Sequence, residues 1–211
     1  MKKLVILTLA LLGITLMTKS TVAYNSDYST FREIVVEGNQ KLLENWTDRE
    51  YKSYLAPTNR RKMFGWKINY VLKNAQATFV SEVLYSYYND GTTGMDIKFT
   101  NSEENSYRRV TQVKGGLSLT GKAANKKLSG GLEASLDTSC TQTNEYSSKD
   151  TWEQKITVDP QTKVVVYIDG TAKVTNGCAT KYSMFLKCFQ GAFEIFIITS
   201  QYPRSEKTRV R

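Results

Sequence analysis

The sequence predicts a mainly β protein, an elongated, twisted antiparallel sheet with one N-terminal amphipathic helix. Three observations predict it. Apolar and polar residues alternate with a period of two through most of the chain after residue 62, the pattern of half-buried strands. Only three prolines occur in 211 residues, so long strands are rarely interrupted. A single stretch, close to the N-terminus, follows helical spacing instead.

Residues 1–23 are set apart from the fold. Lys2 and Lys3 precede an apolar run from Leu4 to Leu16, and Thr18 to Ala23 follows with small residues. This is the layout of a signal peptide cleaved after Ala23, and the run is shorter than the ~20 residues of a spanning helix. A secreted protein is expected, with residues 24–211 as one elongated β-rich domain, within the usual ~100–200 residues per domain.

The helix is predicted over about residues 30–46. Thr30-Phe31-Arg32-Glu33 has the capping-box spacing, and Phe31, Ile34, Val35, Leu42, Leu43 and Trp46 recur on one face. Pro57 closes that segment. Met63 to Asn89 reads as two aromatic and β-branched strands with a turn or bulge near Asn74, and Asn89-Asp90-Gly91 as a turn. Gly94 to Thr100 is a short strand, followed by a polar loop at 101–105. A strand from Glu145 stops at Asp159-Pro160, and Lys163 to Val174 forms the next. Asn176-Gly177 reads as a turn, and Ala179–Phe189 with Ala192–Tyr202 as a last hairpin turning at Gln190-Gly191. The total is one helix and about nine strands.

Between these lies the stretch around which the chain is organised, Val113 to Cys140. Leu117, Leu119, Gly121 and Ala123 share one face, and Leu128, Gly130, Leu132, Ala134 and Leu136 share another. With Ala124 to Lys127 as the loop, Ala123 pairs with Leu128, Leu119 with Leu132, and Leu117 with Ala134. Ser118 then faces Glu133, and Lys114 meets Asp137 with favourable sign. An amphipathic hairpin over about 113–140 is therefore expected.

Composition limits the chemistry. The chain has no histidine, which removes Ser–His–Asp and Cys–His catalysis and the commonest metal ligand. Glu103-Glu104 lies in a loop between turn residues, and Gly115-Gly116 and Gly130-Gly131 lack the strand–loop–helix context of a phosphate cradle. No catalytic residue, cofactor or metal site is expected. The formal charge of +9 points to anionic surfaces. No basic block with interleaved aromatics occurs, so nucleic acid is not an expected partner. Three cysteines leave an odd thiol in an oxidising compartment. Cys178 and Cys188 would stand ~33 Å apart in one extended strand, which favours a disulfide of Cys140 with Cys178 or Cys188, or else a bend between the last two.

The Ser/Thr-rich hairpin Leu117–Leu136, the strand Thr151-Trp152-Glu153-Gln154-Lys155-Ile156-Thr157-Val158, and the turn Asp159-Pro160-Gln161 into Thr162-Lys163-Val164-Val165-Val166-Tyr167 resemble the aerolysin-type β-pore-forming toxins. The likeness is to the group of epsilon toxin and the related mosquitocidal toxins, and covers roughly Phe79 to Val174. It implies a protein secreted as a soluble monomer that binds a membrane surface or a cell-surface receptor. It further implies assembly into a homo-oligomeric ring and insertion of one hairpin per protomer. On that basis Leu117, Leu119, Ala123, Leu128, Leu132, Ala134 and Leu136 would face lipid. Lys122, Lys126 and Lys127 would meet headgroups near the tip, and Lys122, Glu133 and Asp137 would line the lumen. Tyr85, Tyr87, Tyr88 and Tyr107 would anchor an interface, or serve as ordinary cross-strand pairs. The alternative is a non-catalytic secreted protein that binds a surface or matrix, or acts as an immunity protein, with the hairpin as a pairing sheet edge.

Overall fold

The computed structural model describes residues 28–103, 109–121, 126–141 and 150–210; the expected leader at 1–23 lies outside them. Strands dominate. Their order is β1 (Phe31–Val36), β2 (Phe64–Ser81), β3 (Tyr85–Asn89), β4 (Met95–Glu103), β5 (Arg109–Gly115), β6 (Leu119–Thr120), β7 (Lys127–Leu128), β8 (Asp150–Val158), β9 (Thr162–Ser183) and β10 (Leu186–Arg209). The fold is mainly β and every pairing is antiparallel. The main sheet has the order β1-β2-β9-β10-β5, with β3 also pairing to β9, while β4 and β8 form a separate ribbon.

Strands β9 and β10 form the spine, paired from Leu186 opposite Ser183 to Arg209 opposite Thr162. Two expected turns fall inside this hairpin. Asn176 and Gly177 lie within β9, and Gln190 and Gly191 within β10. Both glycines mark close approach of another backbone, not a change of direction. A Cβ on Gly177 would collide with the Asn69 carbonyl oxygen of β2, and one on Gly191 with the Lys114 carbonyl oxygen of β5. The chain reverses instead at Met184-Phe185. Near Asn74 β2 stays one strand with register shifts between Tyr70 and Ala75, and Asn74 itself has φ 53°, so that position is a bulge.

One α-helix occurs among the described residues, but not where helical spacing placed it. Phe31–Val36 is a strand that pairs with β2, and the helix α1 spans Asp48–Leu55. Ile34, Val35 and Val36 are β-branched and find an open sheet edge, which outweighs a local period of 3.6. Gly38, at φ 76°, then ends any continuation. The capping box that forms is the second one in the chain: the Thr47 hydroxyl accepts from Glu50 N at 3.3 Å, and Thr47 N donates to Glu50 Oε2 at 2.8 Å. Lys41 and these bonds hold the Glu50 carboxyl down at about 2.

The sheet carries a layer on each face. Tyr28, Val36, Leu42, Leu43 and Trp46 of the N-terminal segment pack on Cys178, Ala192, Phe196 and Ile198. On the opposite face, Phe193, Ile195, Ile197, Ala179 and Trp66 are covered by Leu117, Leu119, Leu128, Leu132 and Leu136. The strict alternation of β10 from Ala192 to Ile198 thus feeds two cores.

Candidate functional site

The segment that covers the second face begins where β5 ends. Gly115 has φ 88°, and a Cβ there would stand 2.6 Å from Tyr51 Oη. Gly116 N donates to Gln190 O at 2.8 Å, and the chain then leaves the sheet edge and folds back over its face. Its own ladder is short: Leu119 pairs with Leu128 and Thr120 with Lys127. After Leu128 the chain turns through Gly130 and Gly131, with φ 69° and 76°, into 3-10 turns at Glu133–Ser135 and Thr138–Cys140.

The expected 113–140 hairpin is therefore corrected in extent and register. Leu119 meets Leu128, not Leu132, and among the described residues from Ser129 to Thr141 there is no descending strand. Residues Val113–Gly115 belong to β5 and pair with β10. The cause lies in two features. Four glycines with positive φ, at 115, 121, 130 and 131, break an extended path. A spacing of four in Leu128, Leu132 and Leu136 serves one side of a tight helical turn as well as one side of a strand.

Four of the seven residues expected on the apolar side of the hairpin share one buried cluster. Leu117, Leu128, Leu132 and Leu136 are buried, Leu132 to 1% exposure, against Trp66, Phe193 and Ile195. Leu119 is half-buried and Ala134 is exposed. Ala123 and Lys122 lie outside the described residues. Full burial of each leucine contributes ~1.5–3 kcal/mol. Polar ties fix the layer. Arg109 Nη1 contacts Glu133 Oε1 at 2.7 Å, and Glu133 Oε2 accepts from Leu128 N at 2.9 Å. Lys73 Nζ reaches Asp137 Oδ2 at 2.6 Å and, with Ser139, holds that carboxyl down at about 2. Trp66 Nε1 and Lys181 Nζ both donate to Gly130 O, at 3.2 and 3.0 Å. Lys127 is exposed, and Lys126 lines a cavity of about 500 Å³ with Phe31, Phe79 and Ile198. Glu133 and Asp137 thus hold the layer to the sheet, through Arg109 and Lys73.

The three cysteines are free thiols, so the expected Cys140 disulfide is not formed. Cys178 packs with Leu43 and Ala192 under the N-terminal layer, whereas Cys140 ends the 3-10 turn after Asp137, whose N donates to Tyr70 Oη on the other face. Burial pushes the Cys178 thiol up to about 12. Cys188 is exposed near the β9–β10 turn. Tyr85 and Tyr87 pack on the core beneath β4 and β8, Tyr88 is exposed with its hydroxyl on Gln161, and Tyr107 lies outside the described residues.

Sequence reasoning missed two features. Glu194 is fully buried and accepts from Tyr28 Oη, Leu43 N and Asn176 Nδ2 at 2.8–2.9 Å. Its signal was a lone carboxylate inside Ala192–Ile198, on the same face as Phe196. The second is the apolar turn at Met184-Phe185, hidden because no glycine or asparagine marks it.

Among the described residues no group of three His, Cys, Asp or Glu side chains is placed to hold a metal. No helix there is long and apolar enough to cross a membrane. No protein-family model matches the chain, and no curated protein matches it.

Proposed function

We propose that this is a secreted, non-enzymatic, membrane-active β-protein that forms pores after oligomerisation, with residues 116–141 as the segment that leaves the body and enters the bilayer. One observation supports the reading above others. The described residues of that segment, 116–121 and 126–141, form a separate amphipathic layer with a two-pair ladder of their own, and none of them belongs to a strand of the main sheet. Its release would expose leucines and leave β2, β9, β10 and β5 paired. The cost of exposing Leu117, Leu128, Leu132 and Leu136 to water, ~6–12 kcal/mol in all, would be offset by their entry into lipid. Re-formed as an extended hairpin, the same residues alternate apolar and polar, as a barrel strand with lipid outside and water inside requires.

The test is release of size-graded dyes from vesicles of mixed neutral and anionic lipid by the protein lacking residues 1–23. Release with a discrete size cut-off is expected. Binding without release would favour the alternative, a non-catalytic protein that acts by occupying a surface.

A further inference from the structure

The end of the β9–β10 hairpin is built against the rules that make a hairpin turn stable. The turn has two central residues, Met184 and Phe185, both with positive φ, at 49° and 62°. Such turns favour Asn-Gly, because bulky side chains are strained in the left-handed region. Here they carry a methionine and a phenylalanine, and both point outward: Met184 is 71% exposed, Phe185 54% and Leu186 71%. Phe185 N donates to Met63 O at 3.2 Å, which brings Met63 and Phe64, at the start of β2 and also exposed, beside the turn. Phe189 completes the patch.

Cations surround it. Arg60, Arg61 and Lys62 run exposed into β2. Lys187 bonds to Asn59 Oδ1, and Lys181 lies 5.7 Å from the Trp66 ring and 5.9 Å from that of Phe189. The two segments that build this end, residues 51–81 and 170–193, contain no Asp or Glu. An exposed apolar cap ringed by cations, with no carboxylate in either segment, matches a bilayer with anionic headgroups: the cap enters the acyl boundary and the ring meets phosphate.

We propose that the tip formed by Met63, Phe64, Met184, Phe185, Leu186 and Phe189 is the docking surface for an anionic lipid bilayer. The membrane as partner rests on the membrane-active reading, but docking and insertion use different residues and are separable. The tip also touches the covering layer. Lys181 is shared between the cap and Gly130 O, so a headgroup phosphate that draws Lys181 away removes one tie on residues 116–141.

The experiment is co-sedimentation of the protein lacking residues 1–23 with neutral vesicles and with vesicles containing phosphatidylglycerol. Three variants accompany it: the turn replacement Met184→Asn with Phe185→Gly, Leu186→Ser, and Lys187→Ala. Binding to the anionic vesicles that weakens with salt is expected. The turn replacement should lower it at least tenfold while raising the thermal midpoint by a few degrees, because Asn-Gly relieves the left-handed strain. Leu186→Ser should lower it severalfold, and Lys187→Ala roughly fivefold. Wild-type protein that fails to bind anionic vesicles, binds neutral ones equally, or binds as well after the turn replacement would overturn the proposal. So would a turn replacement that abolishes self-association in solution and leaves lipid binding intact, since the cap would then seat a second copy. Binding through the tip without dye release leaves docking in place and counts against the pore; release that is indifferent to the tip does the reverse.

Discussion

Glu194 carries a carboxyl into the layer between the sheet and the N-terminal segment, where water is excluded. Dehydration pushes its pKa up from 4.5 to about 7, against the pull of donors Asn176, Leu43 and Tyr28, with the nearby Glu44 adding to the rise. The unfolded chain releases this proton near its ordinary value, so between about pH 4.5 and 7 the folded state binds more protons than the unfolded one. Stability from this group is therefore greatest below pH 4.5 and falls as pH rises to about 7. The full loss is on the order of 3 kcal/mol. Denaturant unfolding at pH 5 and pH 8 should show that fall, and Glu194→Gln should flatten it. An equal slope in both proteins would remove Glu194 as its source. Because Glu194 clamps Tyr28 and Leu43, loss of this stability is felt first in the N-terminal layer. Asp137 behaves in the opposite sense. Its carboxyl sits at about 2, so the Lys73 contact survives mild acid and is lost only as pH falls from about 4 toward 2.

The covering layer shows how one leucine spacing fits two local conformations. Leu128, Leu132 and Leu136 satisfy a strand's period of two and a helical spacing of four together, and Gly130 and Gly131 between them decide for turns. Leu132 is the best-buried member. Leu132→Ala should cost ~2–5 kcal/mol and speed tryptic cleavage at the exposed Lys127 before the main sheet opens. Global unfolding in step with that cleavage would mean that the layer and the sheet are one cooperative unit. Alternation marks Leu117, Leu128, Leu132 and Leu136 as apolar positions, and these four pack in one cluster. The register of this element was not legible, because φ > 0 at Gly121, Gly130 and Gly131 is a property of the folded backbone that alternation does not carry. The helix failed for a related reason. Thr30 and Thr47 both carry the capping-box spacing, and the sheet edge that captures Ile34, Val35 and Val36 decides between them.

Over the whole molecule, the mainly β character and antiparallel pairing were readable from strand periodicity, scarce proline and Ser/Thr usage. The length of β9 and β10 was not. Asn176-Gly177 and Gln190-Gly191 carry turn chemistry locally, yet sit where neighbouring strands press close, a long-range cause that a local pattern cannot express. The same long hairpin puts the strained apolar tip at one end of the spine and the β3, β4 and β8 strands toward the other. Carboxylates are absent from the two segments at the tip end and frequent elsewhere, including Asp90, Asp96 and Asp159. A molecule so polarised would meet an anionic surface tip first, with Gly130 of the covering layer next to that contact.

The most direct test of release is a reversible lock on the covering layer. In a chain carrying Cys188→Ser, Arg109→Cys and Glu133→Cys would be bridged by a reducible dithiol-reactive linker spanning the former ion pair, which ties the layer to β5. Dye release from anionic vesicles would then be followed before and after reduction. Bridged protein that sediments with vesicles but stays silent, and becomes active on reduction, is the predicted result. Bridged protein that releases dye as fast as its reduced form would contradict departure of residues 116–141 from the sheet.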